Sequence, residues 1–359
     1  MSSEEGWRGG EQQLAYLLDD LSLRQVKNVL AIRGGSRLES YSRQRQIPYH
    51  IVKFSNSADM LSAVKVYKIC RAERIDLIHL HSSKAHGVAV LSTLCGNRLP
   101  MVLSRRVAFL PGSNVFSKWK YNNGQIKKIL CVSQKIRTIM QRYVRDGAKC
   151  VTVYSGIDLN RFNNIQPART KLVEEFNLDA ERAIIGTVGA VDAAKDHFTF
   201  VDTIEKLIAQ GAKVQGLIIG HGPLASVLSE YIEAKNLSPY IRLAGQRNDV
   251  VNLLPSLDFF LMTSKEEGLG TSILDAFLAR VPVIATDAGG IPEIVRNLET
   301  GMLAPVGDAT KLSGHIDRLL NDPNLRTTLV EQAFRFVQGF SREQTSSQTL
   351  KIYQEVLNK

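Results

Sequence analysis

At 359 residues the chain is too long for one ordinary hydrophobic core, and 44% apolar with 22% charged residues excludes a disordered protein. No apolar run nears the roughly 18–20 residues that cross a bilayer, and the acidic, polar start MSSEEGWRGGEQQ is not that of a secretory signal. The net charge of +10 is unevenly spread: residues 1–160 carry 25 Lys/Arg against 11 Asp/Glu, and residues 161–359 carry 20 against 24. A basic half of this kind suits an anionic partner such as a phosphorylated substrate or an anionic membrane face. Nucleic acid is the least favoured partner, because no recognition motif or interleaved aromatic platform accompanies the charge. Cys70, Cys95, Cys131 and Cys150 are widely spaced and form no metal-type pair, as expected of reduced thiols in a cytoplasmic protein.

The chain opens with Gly6-Trp7-Arg8-Gly9-Gly10 ahead of a helical pattern over 12–22. This is the form of a glycine turn on which a phosphate can sit. Only five hydrophilic residues precede Gly6, so the strand that ordinarily leads into such a turn is expected to be short or missing. Short β-branched and leucine-rich runs follow at 28–32, 49–52, 77–80, 101–103, 129–132 and 151–154, with helices expected at 58–73, 85–94 and 134–145. A polar segment at 155–166 reads as a linker. Beyond it strands are expected at 183–188, 214–219, 240–243, 259–262 and 283–286, and helices at 199–210, 224–235, 273–279, 311–321, 324–338 and 342–357. The last of these places Leu350, Tyr353 and Leu357 on one face. This alternation is that of parallel βαβ units in two Rossmann-like domains, whose ligand is expected at the carboxyl ends of the strands.

The most informative stretch is 264–293, SKEEGLGTSILDAFLARVPVIATDAGGIPE. Glu267 and Asp275 lie on either side of a loop-to-helix junction, with Gly268 and Gly270 between them. Thr271 and Ser272 suit a helix N-cap, whose unpaired amides would seat a phosphate. Ser272-x-x-Asp275 also has the form of a capping box, in which the acid satisfies only backbone donors.

Several stretches, in order, resemble the retaining, nucleotide-sugar-dependent glycosyltransferases of family four, of GT-B architecture and bacterial cell-surface polysaccharide or lipopolysaccharide type. They are Trp7-Arg8-Gly9-Gly10-Glu11-Gln12, Leu80-His81-Ser82-Ser83-Lys84-Ala85, Ser104-Arg105-Arg106-Val107, Cys131-Val132-Ser133 and Tyr154-Ser155-Gly156-Ile157-Asp158 with Phe162. In the second half they are Gly220-His221-Gly222-Pro223, Gly245-Gln246-Arg247-Asn248-Asp249-Val250 and the whole of 264–293, which resembles the family's donor signature.

The resemblance implies an α/β fold of two Rossmann-like domains facing across a cleft. Residues 1–160 would form the acceptor side and 161–340 the nucleotide-sugar side, with 341–359 a helix returning to the first domain. It implies transfer of a sugar from a nucleotide sugar, UDP-activated for preference, to a glycan or lipid-linked acceptor, with retention and without a metal. No cofactor is implied, since the nucleotide sugar is a substrate. Catalytic roles would fall to Glu267, Lys195 and Arg106. Donor binding would fall to Gly9, Gly10, Gly189, Arg247, Asn248, Gly268, Gly270, Thr271, Ser272, Ile273 and Asp275. His81, His86 and Arg105 would face the acceptor. Within that scheme Glu267 meets the sugar, the amides near Thr271–Ile273 the diphosphate, and Asp275 the ribose. The base would lie near Arg247 and Asn248 through their backbone.

The chain departs from its relatives in three of these places. The second acid of the signature is an aspartate, Ala190 stands where many carry an arginine, and Arg105-Arg106 stands where many carry a histidine. Location in the cytoplasm, peripheral on the inner face of the membrane, is expected. The alternative is a non-catalytic protein of the same fold that binds a nucleotide sugar or an anionic membrane; turnover separates the two.

Overall fold

The computed structural model describes residues 1–358, which fall into two compact units. The first runs from Met1 to Gly156 and includes the C-terminal helix; the second runs from Ile157 to Ser341.

In chain order the first unit holds α1 (Gly9–Leu23), β1 (Leu30–Ile32), α2 (Arg37–Gln44), β2 (Tyr49–Ile51), α3 (Met60–Ala72), β3 (Ile78–Leu80) and α4 (Ser83–Leu91). It continues with β4 (Met101–Arg105), α5 (Val115–Asn122), β5 (Ile126–Cys131), α6 (Gln134–Tyr143) and β6 (Cys150–Thr152). Strands β3 to β6 pair in parallel and in sequence order, while β1 and β2 form a separate parallel pair. Met1–Ser3 supplies a residue-long remnant of the short first strand. Ser2 bridges Ile32 in parallel, the Met1 amino group donates to the His79 carbonyl at 2.7 Å, and His81 N–H donates to the Met1 carbonyl at 3.0 Å. The segment therefore stands between β1 and β3 and satisfies backbone groups that the edge of each would leave bare.

The second unit holds α7 (Arg169–Phe176), β7 (Ala183–Val188), α8 (His197–Ala209), β8 (Val214–Ile219), α9 (Ala225–Ala234), β9 (Ile241–Gly245), α10 (Val250–Leu253) and β10 (Phe259–Met262). After these come α11 (Thr271–Leu278), β11 (Val283–Thr286), β12 (Met302–Ala304), α12 (Ala309–Asn321) and α13 (Pro323–Val337). All six strands are parallel, in the order β12-β11-β10-β7-β8-β9. This is the doubly wound order, and the direction of winding reverses between β7 and β10. Phe200 of α8 and Ile316 of α12 pack with Ile218, Phe259 and Ile284 into one core cluster on one face of this sheet.

The last helix, α14 (Arg342–Leu357), belongs to the first unit and packs along α1. Ile352 and Val356, with Tyr353 beside them, close over Val102 and Leu130 of the four-stranded sheet and Val153 just past β6. The expected Leu350–Tyr353–Leu357 face is corrected by about a third of a turn, since Leu357 is 48% exposed while Ser346, Thr349, Ile352 and Val356 are buried. The chain crosses between units twice, and Ile157 N–H donates to the Phe340 carbonyl at 2.8 Å where the two crossings run side by side.

Four helices and one strand were not expected from the sequence: α2, α5, α7, α10 and β12. For α2 and α5 the signal was a cap. Ser36 accepts from Glu39 N–H and Asn114 accepts from Ser117 N–H, each three positions ahead. In α5 the run Val115-Phe116 and Trp119 favours a strand by composition, which hid the cap.

Candidate active site

In the second unit the carboxyl ends of β7 and β10 adjoin at the reversal point, and each is followed by a loop carrying one charged candidate. Lys195 follows β7, Glu267 follows β10, and the Lys195 ammonium pairs with Glu267 Oε2. The two loops are zipped by backbone: the N–H groups of Lys265 and Glu266 donate to the Ala194 carbonyl at 2.8 and 3.2 Å. Thr263 Oγ1 adds a bond to the Asp196 carbonyl at 2.9 Å.

Glycines set how closely the neighbouring loops approach. A Cβ at Gly220 would lie 1.8 Å from the Gly189 carbonyl oxygen, and one at Gly222 would lie 2.3 Å from that of Val191. The loop after β8 thus presses on the loop that presents Lys195. Gly189 also leaves a slot for the Lys195 stem, whose Cε would be 3.3 Å from a Cβ there. From the other side Gly290 N–H donates to the Glu267 carbonyl at 3.1 Å, and Gly289, at φ +56°, passes so near that a Cβ would sit 1.9 Å from that oxygen. Glu267 is therefore held between the loops after β7 and β11.

The start of α11 corrects the expected cap. Its N-cap is Gly270 at φ +90°, not Thr271 or Ser272, and no side chain caps it. The leading amides of Thr271 and Ser272 stay available at the positive end of the helix, whereas that of Ile273, also expected to meet the diphosphate, donates to the Gly270 carbonyl at 2.9 Å. Asp275 sits a full turn further in and does not cap it. Its Oδ2 accepts from Arg161 Nη1 at 2.7 Å, while Oδ1 is buried without a hydrogen-bond partner among the described residues. Burial raises the Asp275 pKa above the ordinary carboxylate value, and the Arg161 charge works against that rise. Arg161 lies in the segment read as a plain linker; it is the site residue that the sequence reading missed.

Arg247 is fully engaged: its guanidinium meets both carboxylate oxygens of Asp249 at 2.8 and 2.7 Å, pairs with Glu175, and lies 5.5 Å from the Phe176 ring. Asn248 is exposed beside it. Neither side chain reaches the Lys195–Glu267 pair through any hydrogen bond.

In the first unit Gly9 and Gly10 open α1, with Glu11 Oε2 accepting from Arg8 N–H at 3.1 Å. A Cβ at Gly10 would lie 3.7 Å from Arg106 Cδ, and Arg106 Nη2 donates to His81 Nδ1 at 3.2 Å. The glycine turn, Arg106 and His81 therefore form one cluster. His81 is held neutral, its pKa well below the ordinary value through burial and the neighbouring His79 and Arg106. Burial lowers Arg106 to about 10, against the pull of Glu11, and its Nε is buried without a hydrogen-bond partner among the described residues. His79, Ser104, Arg106 and Gln13 line a small cavity of about 30 Å³ beside this cluster.

Two expected acceptor-side residues are not part of it. Arg105 is 7% exposed, donates to the Tyr121 hydroxyl at 3.1 Å and to the Phe109 carbonyl, and so ties the following loop instead of facing an acceptor. His86 is 1% exposed, bonds through Nε2 to the Lys120 carbonyl at 3.0 Å, and stacks edge-on against Tyr121. Both are packing residues because they point into the unit, and burial pushes His86 down to about 3.

Two family models match consecutive halves of the chain: Glycosyltransferase Family 4 over residues 7–161 and Glycosyl transferases group 1 over residues 168–336. The chain belongs to the family-four glycosyltransferases. This glycosyltransferase is 25% identical over 83% of its length to N-acetyl-alpha-D-glucosaminyl L-malate synthase of Bacillus anthracis, covering 80% of that protein. It is 26% identical over 79% of its length to UDP-Gal:alpha-D-GlcNAc-diphosphoundecaprenol alpha-1,3-galactosyltransferase of Escherichia coli, covering 76% of it. Its fold is that of Anabaena Alr3699/HepE, solved in complex with UDP and glucose, at a TM-score of 0.85 and 20% identity over 99% of this chain and 98% of that one. A glycosyltransferase from Rickettsia africae superposes at a TM-score of 0.86 and 22% identity over 97% and 95% of the two chains.

Proposed function

We propose that this glycosyltransferase moves a sugar from a UDP-activated donor to a glycan or lipid-linked acceptor, with retention and without a metal. The observation that carries the reading is the Lys195–Glu267 pair at the reversal point of the doubly wound sheet, beside the uncapped start of α11. In glycosyl transfer the anomeric carbon gains positive character while the diphosphate departs with negative charge. In this reading Lys195 and the α11 amides meet the departing diphosphate as preorganised donors, and Glu267, released from Lys195 as the donor arrives, holds the sugar. Asp275 takes a ribose hydroxyl on Oδ1, the oxygen that Arg161 leaves bare. A diphosphate leaves without strong protonation, so no paired-acid arrangement is needed. Arg106, with His81 and the Gly9–Gly10 turn, serves the first unit's side of the reaction as an anion-binding group.

Support for the donor comes from HepE, whose structure was solved with UDP and glucose. Support for the acceptor class comes from the Escherichia coli relative, named for a diphosphoundecaprenol acceptor. Among the described residues no helix is long and apolar enough to cross a membrane. The basic balance of residues 1–160 favours work at an anionic membrane surface on the cytoplasmic side, where free thiols such as Cys70 and Cys131 stay reduced. The test is a panel of nucleotide sugars screened for hydrolysis and for transfer to lipid-linked sugars. UDP-sugar turnover is expected; turnover of no nucleotide sugar across the panel would overturn the proposal.

A further inference from the structure

No Asp or Glu stands between Asp76 and Asp146, whereas 12 Lys or Arg do. Within this carboxylate-free stretch the loop from β4 to α5 exposes a run of large apolar side chains. Phe109 is 54%, Leu110 65% and Val115 86% exposed, and Trp119 and Phe116, one turn apart on α5, pack with ring centroids 5.7 Å apart. Apolar side chains scattered singly over a surface are ordinary; a cluster on one protruding loop is not.

The loop is a built feature. Asn114 caps α5, Arg105 donates to the Phe109 carbonyl and lies 5.0 Å from its ring, and the Tyr143 hydroxyl donates to the Gly112 carbonyl at 2.6 Å. Arg145 N–H donates to Asn122 Oδ1 at 2.7 Å, tying the far end of α5 to the residues just after α6. These bonds bring the apolar loop to the end of α6, where Arg142 and Arg145 are exposed, as is Lys118 on α5. The result is a fixed apolar tip with a cationic rim, in which Asp146, beside Arg145, is the first carboxylate met along the chain after Asp76.

We propose that the β4–α5 loop, α5 and the end of α6 form a membrane-docking element for a bilayer containing anionic lipid. Phe109, Leu110 and Val115 enter the headgroup–acyl boundary, and Lys118, Arg142 and Arg145 meet the headgroup phosphates. Charge complementarity selects this occupant: an anionic lipid surface offers both an apolar layer and a negative plane, whereas nucleic acid offers no layer for Leu110 and Val115. The proposal deepens the membrane-surface reading above and rests on it only for the reason that docking serves transfer.

The test is co-sedimentation of the full chain with phosphatidylcholine vesicles, with and without phosphatidylglycerol, at low and high salt. Binding to the phosphatidylglycerol vesicles is expected to exceed binding to phosphatidylcholine alone by at least about tenfold and to fall with salt. The Phe109→Ser/Leu110→Ser/Val115→Ser variant, which keeps every charge, is expected to lose at least about tenfold in binding. The Lys118→Gln/Arg142→Gln/Arg145→Gln variant is expected to lose on the order of a hundredfold on anionic vesicles. Both variants are expected to keep the wild-type unfolding midpoint and donor hydrolysis. Wild-type sedimentation with neither vesicle, or equally with both, overturns the proposal, as does undiminished binding by both folded variants. Vesicle binding without any nucleotide-sugar turnover instead defeats the catalytic reading and leaves the docking element standing.

Discussion

Arg161 Nη1 and Asp275 Oδ2 stand 2.7 Å apart, although 114 positions separate them in the chain. The pair makes one oxygen of a buried carboxylate neutral in effect and leaves the other, Oδ1, bare. A lone buried carboxylate is driven to take a proton, and Arg161 opposes that. Replacing Arg161 with Met is therefore expected to raise the Asp275 pKa further, so that the carboxylate is lost at a higher pH than in the wild type. The acid limb of kcat/KM for the donor should move upward in pH, with KM raised by about tenfold at neutral pH. Arg161→Lys should restore part of both effects. Superimposable pH profiles for wild type and Arg161→Met would show that Asp275 does not depend on its partner.

Glu267→Ala and Lys195→Ala are each expected to lower turnover by about 10²–10³-fold, the size of effect seen when one preorganised group is removed from a charge-stabilising site. Because the two side chains pair with each other, the double variant should cost less than the product of the single effects. Single-turnover kinetics on all three, beside thermal unfolding, checks this. A Glu267→Ala enzyme with full activity would remove Glu267 from the site.

The glycines give a sharper contrast. Gly289→Ala would place a methyl group 1.9 Å from the Glu267 carbonyl oxygen at a positive φ, so the loop after β11 must move. Loss of turnover together with a lower unfolding midpoint is expected. Gly10→Ala meets nothing closer than 3.7 Å and should fold normally. A fall in donor affinity in Gly10→Ala without a fall in stability would mean that the glycine makes room for the ligand. Unchanged affinity would assign the turn to folding alone.

Acid should destabilise the protein through its buried histidines. Burial lowers His86 to about 3 and His197 to about 4, so both are neutral in the folded state. Their unfolded value lies near 6.5. The unfolded chain therefore binds the extra protons first, and stability that is whole above about pH 6.5 falls as the pH drops toward the folded values. Each group contributes at most about 1.4 kcal/mol per pH unit across that window. Urea titrations at descending pH measure the slope. His86→Gln, which keeps a donor for the Lys120 carbonyl, should flatten it; an unchanged slope would show that His86 is not the source.

Parallel strands buried on both faces announce themselves as short β-branched runs, which is why β3 to β6 and β7 to β11 were legible from the sequence within a few residues. Lys195 and Glu267 were given their roles by resemblance alone; that their loops adjoin at the ends of β7 and β10 is visible only in the structure. What stayed hidden depended on distant partners or on direction. Arg161 acquires its role from a carboxylate far along the chain. Arg105 and Arg106 are adjacent and identical in type, yet the first ends β4 facing inward and the second turns toward Gly10 and His81. The start of α11 misled for a local reason: hydroxyl residues outrank glycine as caps by preference, yet Gly270 alone tolerates the positive φ there.

The return of the chain through Ser341 into α14 orders events during synthesis. Val102, Leu130 and Val153 stay uncovered until Ile352 and Val356 have been made. Everything between the two crossings is translated first and carries its own core. The first unit therefore cannot close over its sheet until the last turns of the polypeptide are made, whereas the second needs nothing beyond Ser341. A chain truncated just before residue 342 would carry a complete second unit attached to an unfinished first one.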